Sequence, residues 1–230
     1  MKNINWSELG FGYFKTDYNV RCEYKDGKWG ELYATEDVNM NIHMASTCLH
    51  YGQEVFEGLK AFRGADGKVR LFRVEENAKR MINSGEYLKM AVPSVELFTK
   101  ACIEAVKLNA DYIPPYGSGA SLYLRPMLIG VGPQVGVKPS ADYLFAVFVT
   151  PVGPYYKDGF NCIKVIIDYD HDRAAPKGTG HVKVGGNYAA SLDSGEIAHQ
   201  KGFASVIFLD PATKQYIDEC SAANFFGIRD

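Results

Sequence analysis

The sequence contains no run approaching the ~18 apolar residues of a membrane-spanning helix. It also lacks an excess of either charge. Its 25 Lys and Arg stand against 27 Asp and Glu, and a formal net charge of -2 gives no electrostatic case for nucleic acid or an anionic membrane. Paired cysteines are missing as well: Cys22, Cys48, Cys102, Cys162 and Cys220 are odd in number, widely spaced, and form no C-x-x-C. This argues against a disulfide framework and for reduced thiols in the cytoplasm. The five histidines (His43, His50, His171, His181 and His199) show no ligand spacing such as H-E-x-x-H, which argues against a metal enzyme. There is no internal repeat and no low-complexity tract. The opening MKNINWSELGFGY has no apolar stretch behind its lysine and does not read as a signal peptide.

Apolar residues are plentiful. At 47% of 230 residues they suffice for the core of one large domain or two small ones. Tyrosine and phenylalanine are abundant, 15 and 13. Such rings either stud an ordinary core or line a pocket or subunit interface. Residues 1–45 alternate short polar and apolar pieces around an Asp26-Gly27-Lys28 turn. Residues 56–73 read as a hairpin that turns at Ala65-Asp66-Gly67 and returns as VRLFR.

Two helices are expected next, over about 75–90 and after Pro93. The second has Ser94 as N-cap and an apolar face of Leu97, Phe98, Ala101, Cys102, Ala105 and Leu108. SLYLRPMLIG (121–130) and YLFAVFVT (143–150) read as strands. The Pro- and Gly-rich PVGPYYKDG reads as an interdomain linker over 151–160. CIKVIID is a strand, 189–200 a helix closed by Gly202, and SVIFLD-PATK-QYIDE a hairpin. Residues 224–228 read as the start of another strand. The class is α/β (α+β): a small domain over 1–150 and the first part of a larger one over 161–230.

GTGHVKVGGNY (178–188) sets one lysine among four glycines. It is no phosphate loop, because that pattern requires Ser or Thr after the lysine and Val184 stands there. Taken alone, Lys183 reads as a solvated loop residue. Four stretches together say more. LHYGQEVFEGLKAFRG (49–64), SLYLRP (121–126), PVGPYY (151–156) and KVGGNYAASL (183–192) occur in this order, and in that order the chain resembles the branched-chain amino acid aminotransferases. These are fold-type IV pyridoxal 5'-phosphate enzymes, akin to D-amino acid aminotransferase. The resemblance runs from about residue 11 to the end.

The resemblance implies two α/β domains with the cofactor between them, the second incomplete at residue 230. It implies that Lys183 forms the Schiff base and then carries the proton as general acid and base. Glu219 matches the carboxylate that keeps the ring nitrogen protonated, and Asp218 is then its outward-facing neighbour. Arg80 matches the phosphate arginine, Tyr188 the phenol at the ring oxygen, and Arg173 a further arginine near the cofactor. Phe56, Tyr123, Arg125, Tyr51 and Tyr155 match substrate-pocket positions. Tyr123 and Arg125 share one strand face, an aromatic wall beside a cation. That suits a pocket accepting leucine, isoleucine or valine and also glutamate or 2-oxoglutarate. Tyr51, Val135 and Val137 match positions that reach across a homodimer interface. Ala222 departs from the family, some members of which carry threonine there. A second phosphate-binding turn and a carboxylate-binding loop are expected beyond residue 230. A D-amino acid aminotransferase, an aminodeoxychorismate lyase and a non-catalytic fragment stand as alternatives.

Overall fold

In the computed structural model two ten-residue strands organise the first 150 residues, and residues 2–154, 161–221 and 223–229 are described. By its internal packing the chain divides into Met1–Gly159 and Phe160–Asp230.

In the first unit the strands are β1 (Asn19–Lys25), β2 (Lys28–Trp29) and β3 (Tyr33–Thr35). After helix α1 (Thr47–Tyr51) come β4 (Glu54–Phe56), β5 (Leu59–Arg63) and β6 (Val69–Leu71). Helices α2 (Val74–Tyr87) and α3 (Val95–Leu108) precede the long strands β7 (Ser121–Gly130) and β8 (Tyr143–Val152). The strands form one sheet in the order β2-β1-β8-β7-β5-β6, with β3 beside β1 and β4 beside β7.

Every second residue of β7 enters the core. Leu122, Leu124 and Leu128 are buried, and β8 places Val149, Val147 and Phe145 in register with Leu124, Pro126 and Leu128. Phe98 of α3 stacks on Phe145 at 5.8 Å between centroids. The face of α3 read from the sequence is the one that packs: Phe98, Ala101, Cys102 and Ala105 are buried, and the Ser94 hydroxyl accepts the Leu97 N–H at 3.1 Å. Tyr123, Arg125 and Met127 of β7 lie on the opposite sheet face and are half-buried.

Some expectations are corrected. Residues 1–45 hold three strands, which the alternation there was too short to reveal. β8 extends through Pro151 and Val152, assigned above to the linker, because they pair with Leu122 and Ser121 of β7. Most of the remaining linker, including Tyr155, lies outside the described residues.

The second unit is a three-stranded sheet of β9 (Val165–Asp168), β10 (Ser205–Leu209) and β11 (Ile217–Cys220). β9 and β10 are parallel, and β10 and β11 form the expected antiparallel pair. The connection from β9 to β10 carries two helices, α4 (Gly185–Ala189) and α5 (Leu192–Gln200), where the sequence suggested one. Ala198 of α5 packs with Val206 and Phe208 of β10. Gly202 takes φ +77 just past the helix, a conformation that costs glycine little. Residues 224–229 form no strand among the described residues. The chain turns at Ser221, whose φ is 46, and returns only as a single bridge between Cys220 and Ala223.

Candidate active site

The crossover loop that leaves the carboxyl end of β9 carries Arg173 and Lys183, and such loops commonly bear binding residues in parallel sheets. Asp168 starts the loop. Its carboxylate accepts the N–H groups of Asp170 at 2.8 Å and His171 at 3.0 Å. Val182 and Val184 are both buried, which turns Lys183 between them to the other side, half-buried. Its Nζ donates to the Tyr188 hydroxyl at 2.6 Å, one turn into α4. The ring of Tyr188 also receives the Arg173 guanidinium, 5.0 Å from its centroid.

Arg173 is buried, as a charged group can be when it is paired. Its Nη1 donates to the Asn187 carbonyl. Its Nε lies 3.0 Å from Glu219 Oε2, yet makes no aligned hydrogen bond among the described residues. The two stand as an ion pair held by proximity, with the Glu219 side chain 46% exposed. Asp218 is exposed too, so the adjacent carboxylates are not divided into one inward and one outward; Cys220 is the buried residue of β11. Arg173, Gly180 and Glu219 line a cleft of ≈ 620 Å³ that also reaches Asp210 and Phe225. The structure thus brings Lys183, Tyr188, Arg173 and Glu219 into one connected group.

The remaining predicted residues belong to the first unit. Arg80 on α2 forms a two-pronged pair with Glu57, Nε to Oε1 at 2.6 Å and Nη2 to Oε2 at 2.8 Å. Asn77 adds a third donor to Glu57 at 2.8 Å. The Glu57 side chain is fully buried while that of Arg80 is 54% exposed, so the guanidinium sits between core and solvent. Sequence reading missed Glu57, because nothing in EVFEG tells a buried carboxylate from a surface one.

On the sheet face opposite the helices, Arg125 lies 4.7 Å from the Phe56 ring centroid and 5.4 Å from that of Tyr123. It also donates to the Tyr123 hydroxyl at 3.1 Å. Phe11 meets Tyr123 edge-on at 5.2 Å, a contact the sequence did not suggest. Tyr51 ends α1 and donates its hydroxyl to the Val135 carbonyl. Val135 and Val137 are 85% and 86% exposed, and Met44 and Leu49 are exposed nearby in the chain.

Residues 54–230 match the family model for amino-transferase class IV. The chain belongs to the class IV aminotransferases. Among the class IV relatives, the branched-chain-amino-acid aminotransferase of Haemophilus influenzae is 53% identical over 233 residues, covering 99% of this chain and 68% of that protein. The Helicobacter pylori enzyme of the same name is 52% identical, over 99% of this chain and 67% of that one. Among solved class IV structures, the Escherichia coli branched-chain amino acid aminotransferase superposes with a TM-score of 0.69 at 26% identity, over 90% of this chain and 63% of that one. Another branched-chain amino acid aminotransferase, solved with pyridoxamine 5'-phosphate, gives 0.66 at 26%, over 87% and 62%. The chain therefore spans about two thirds of the length of these relatives. The α/β architecture is that of the fold-type IV aminotransferase structures.

Proposed function

We propose that this chain belongs to a pyridoxal-phosphate-dependent transaminase that moves the amino group of L-leucine, L-isoleucine or L-valine to 2-oxoglutarate. The observation that carries this reading is the 2.6 Å contact between Lys183 Nζ and the Tyr188 hydroxyl, tied through Arg173 to Glu219. The donor set fits the cofactor. An amine, a phenol and a carboxylate are the groups that an aldehyde, a ring oxygen and a pyridine nitrogen require. The buried Arg173 guanidinium, paired with Glu219, adds a cation beside that set. When bound, the cofactor supplies the carbonyl that takes up the substrate amine and a ring that draws electrons from Cα.

The chain's own residues do the rest. Lys183 holds the cofactor and, once freed, carries the proton between substrate and cofactor carbons. The Tyr188 hydroxyl orients the Lys183 amine. Glu219 would pair with the ring nitrogen, and Arg80, its side chain 54% exposed beside Glu57, would serve the phosphate. Phe56 and the Tyr123–Arg125 pair receive the substrate side chain. An apolar branch packs on the rings, and a carboxylate meets the guanidinium. Tyr51 completes the pocket, and Tyr155 is assigned to it by the family resemblance alone.

Met44, Leu49, Tyr51, Val135 and Val137 are exposed and apolar or aromatic, which supports a homodimer through this patch. A cytoplasmic location agrees with five unpaired cysteines, and no helix among the described residues is long and apolar enough to cross a membrane.

The test is an absorbance spectrum of the purified protein with pyridoxal phosphate. The lysine-bound band is expected in the wild type and absent in Lys183→Ala. No band in the intact protein would end the reading. Half-reactions with single amino acids then set the substrate class: conversion with L-leucine is expected, and conversion with D-alanine but not L-leucine would move the protein to another fold-type IV group.

A further inference from the structure

The amide of Asn187 lies against the loop that carries Lys183. It is buried, and its polar atoms are engaged on both sides. Its Nδ2 donates to the Thr179 carbonyl at 2.7 Å and to the Val182 carbonyl at 2.9 Å. Its Oδ1 accepts the Thr179 hydroxyl at 2.7 Å. One side chain thus clamps both ends of residues 179–182, the four residues directly before Lys183. Its backbone carbonyl receives Arg173 Nη1, and its chain neighbour is Tyr188.

We propose that Asn187 is a positioning residue for the amine of Lys183. This deepens the transaminase reading and rests on it. A glycine-flanked loop has many accessible backbone conformations, and a lysine on it brings four rotatable bonds of its own. Holding Nζ at 2.6 Å from the Tyr188 hydroxyl requires the backbone before it to be fixed. No other type of side chain of this length offers two N–H donors and an acceptor together. Asn187→Asp keeps the size and the acceptor, but it removes both donors and sets a carboxylate against two carbonyl oxygens.

The experiment compares wild type, Asn187→Asp, Thr179→Val and Thr179→Ser as intact protein. Borohydride reduction of the holoenzyme followed by peptide mass analysis measures cofactor attached at Lys183. In apoprotein, acetic anhydride labelling measures the reactivity of Lys183 against Lys164 and Lys201 as internal references. Thermal melts report the fold. Asn187→Asp is expected to change Lys183 labelling severalfold relative to the references and to lower kcat about tenfold or more, with KM changed less. Thr179→Val is expected to do the same more weakly, and Thr179→Ser to restore wild-type values. A lowered melting temperature with Lys183 labelling unchanged would overturn the proposal and leave Asn187 a merely structural residue. If Asn187→Asp does not fold, the contrast between the two Thr179 variants decides in the same way. Absence of borohydride trapping in the wild type would instead overturn the transaminase reading, and apoprotein labelling would still judge Asn187.

Discussion

Glu57 is a carboxylate at 0% exposure, and it is tolerated there because donors surround it. Arg80 gives two, Asn77 gives one, and the Gly58 N–H approaches at 3.3 Å. Gly58 has a second, steric role. A Cβ placed there would lie 2.3 Å from the Tyr123 hydroxyl and 3.0 Å from its Cζ. Arg125 and the edge of Phe11 hold that ring from other sides. Gly58→Ala should therefore push Tyr123 out of place and break its bond to Arg125. If the pair receives substrate, kcat/KM with 2-oxoglutarate should fall about tenfold or more while the melting temperature moves little. Steady-state kinetics decide, and full activity in a well-folded Gly58→Ala would remove the pair from the pocket. The glycine in FEGLK was visible in the sequence, but its reason was not, because Tyr123 reaches it from a strand more than 60 residues later.

Caps and loop anchors carry the predictions at the level of elements. Ser94 closes the first turn of α3 through the Leu97 N–H. Ser94→Ala should cost about 1 kcal/mol, read as a lower urea midpoint. The Ser94 cap and the apolar spacing of α3 were both legible, since a cap and a helical period are local signals. Asp168 anchors the lysine loop. Burial raises the pKa of its carboxyl, and hydrogen bonding from the Ser194 hydroxyl, then from the His171 and Asp170 N–H groups and the His171 ring, outweighs that and leaves it lowered. A carboxyl with a lowered folded-state pKa adds stability that is fully present above its unfolded value, about pH 4. That contribution is lost as pH falls through the folded value. Asp168→Asn should lower the melting temperature near neutral pH, and the gap to wild type should close in acid. Melts across the acid range measure this, and a gap that widened in acid would show the sign to be wrong. Helix α4 escaped sequence reading, which began the helix at Ala189, because Gly185 and Gly186 in its first turn are poor helix formers.

The proposed dimer makes its prediction for the whole molecule. Val135 and Val137 stand out from a loop anchored by the Tyr51 hydroxyl on the Val135 carbonyl. If the patch is an interface, Val135→Asp places a charge where it must lose water. The dimer should then dissociate about tenfold or more readily, a change of roughly 1.4 kcal/mol. Sedimentation velocity over a range of concentrations tests this. A wild type that is monomeric throughout, or a variant as dimeric as wild type, would exclude the patch. By itself the sequence determined the α/β class, the long strands and the Ser94 cap of α3, because each depends on residues close together in the chain, whereas Lys183 was singled out only by four separated stretches taken together. Only the tertiary structure decided that Arg80 shares its fork with Glu57, that Tyr123 needs Gly58, and that Arg173 joins Tyr188 to Glu219. Lys183 was legible as a residue; the amide of Asn187 clamping the loop before it was not. Each of those pairings brings together side chains whose meeting is set by strand register or by a turn of backbone. Hydrogen bonds and steric contacts act over a few ångströms in space, and the spacing of letters along a chain does not report that distance.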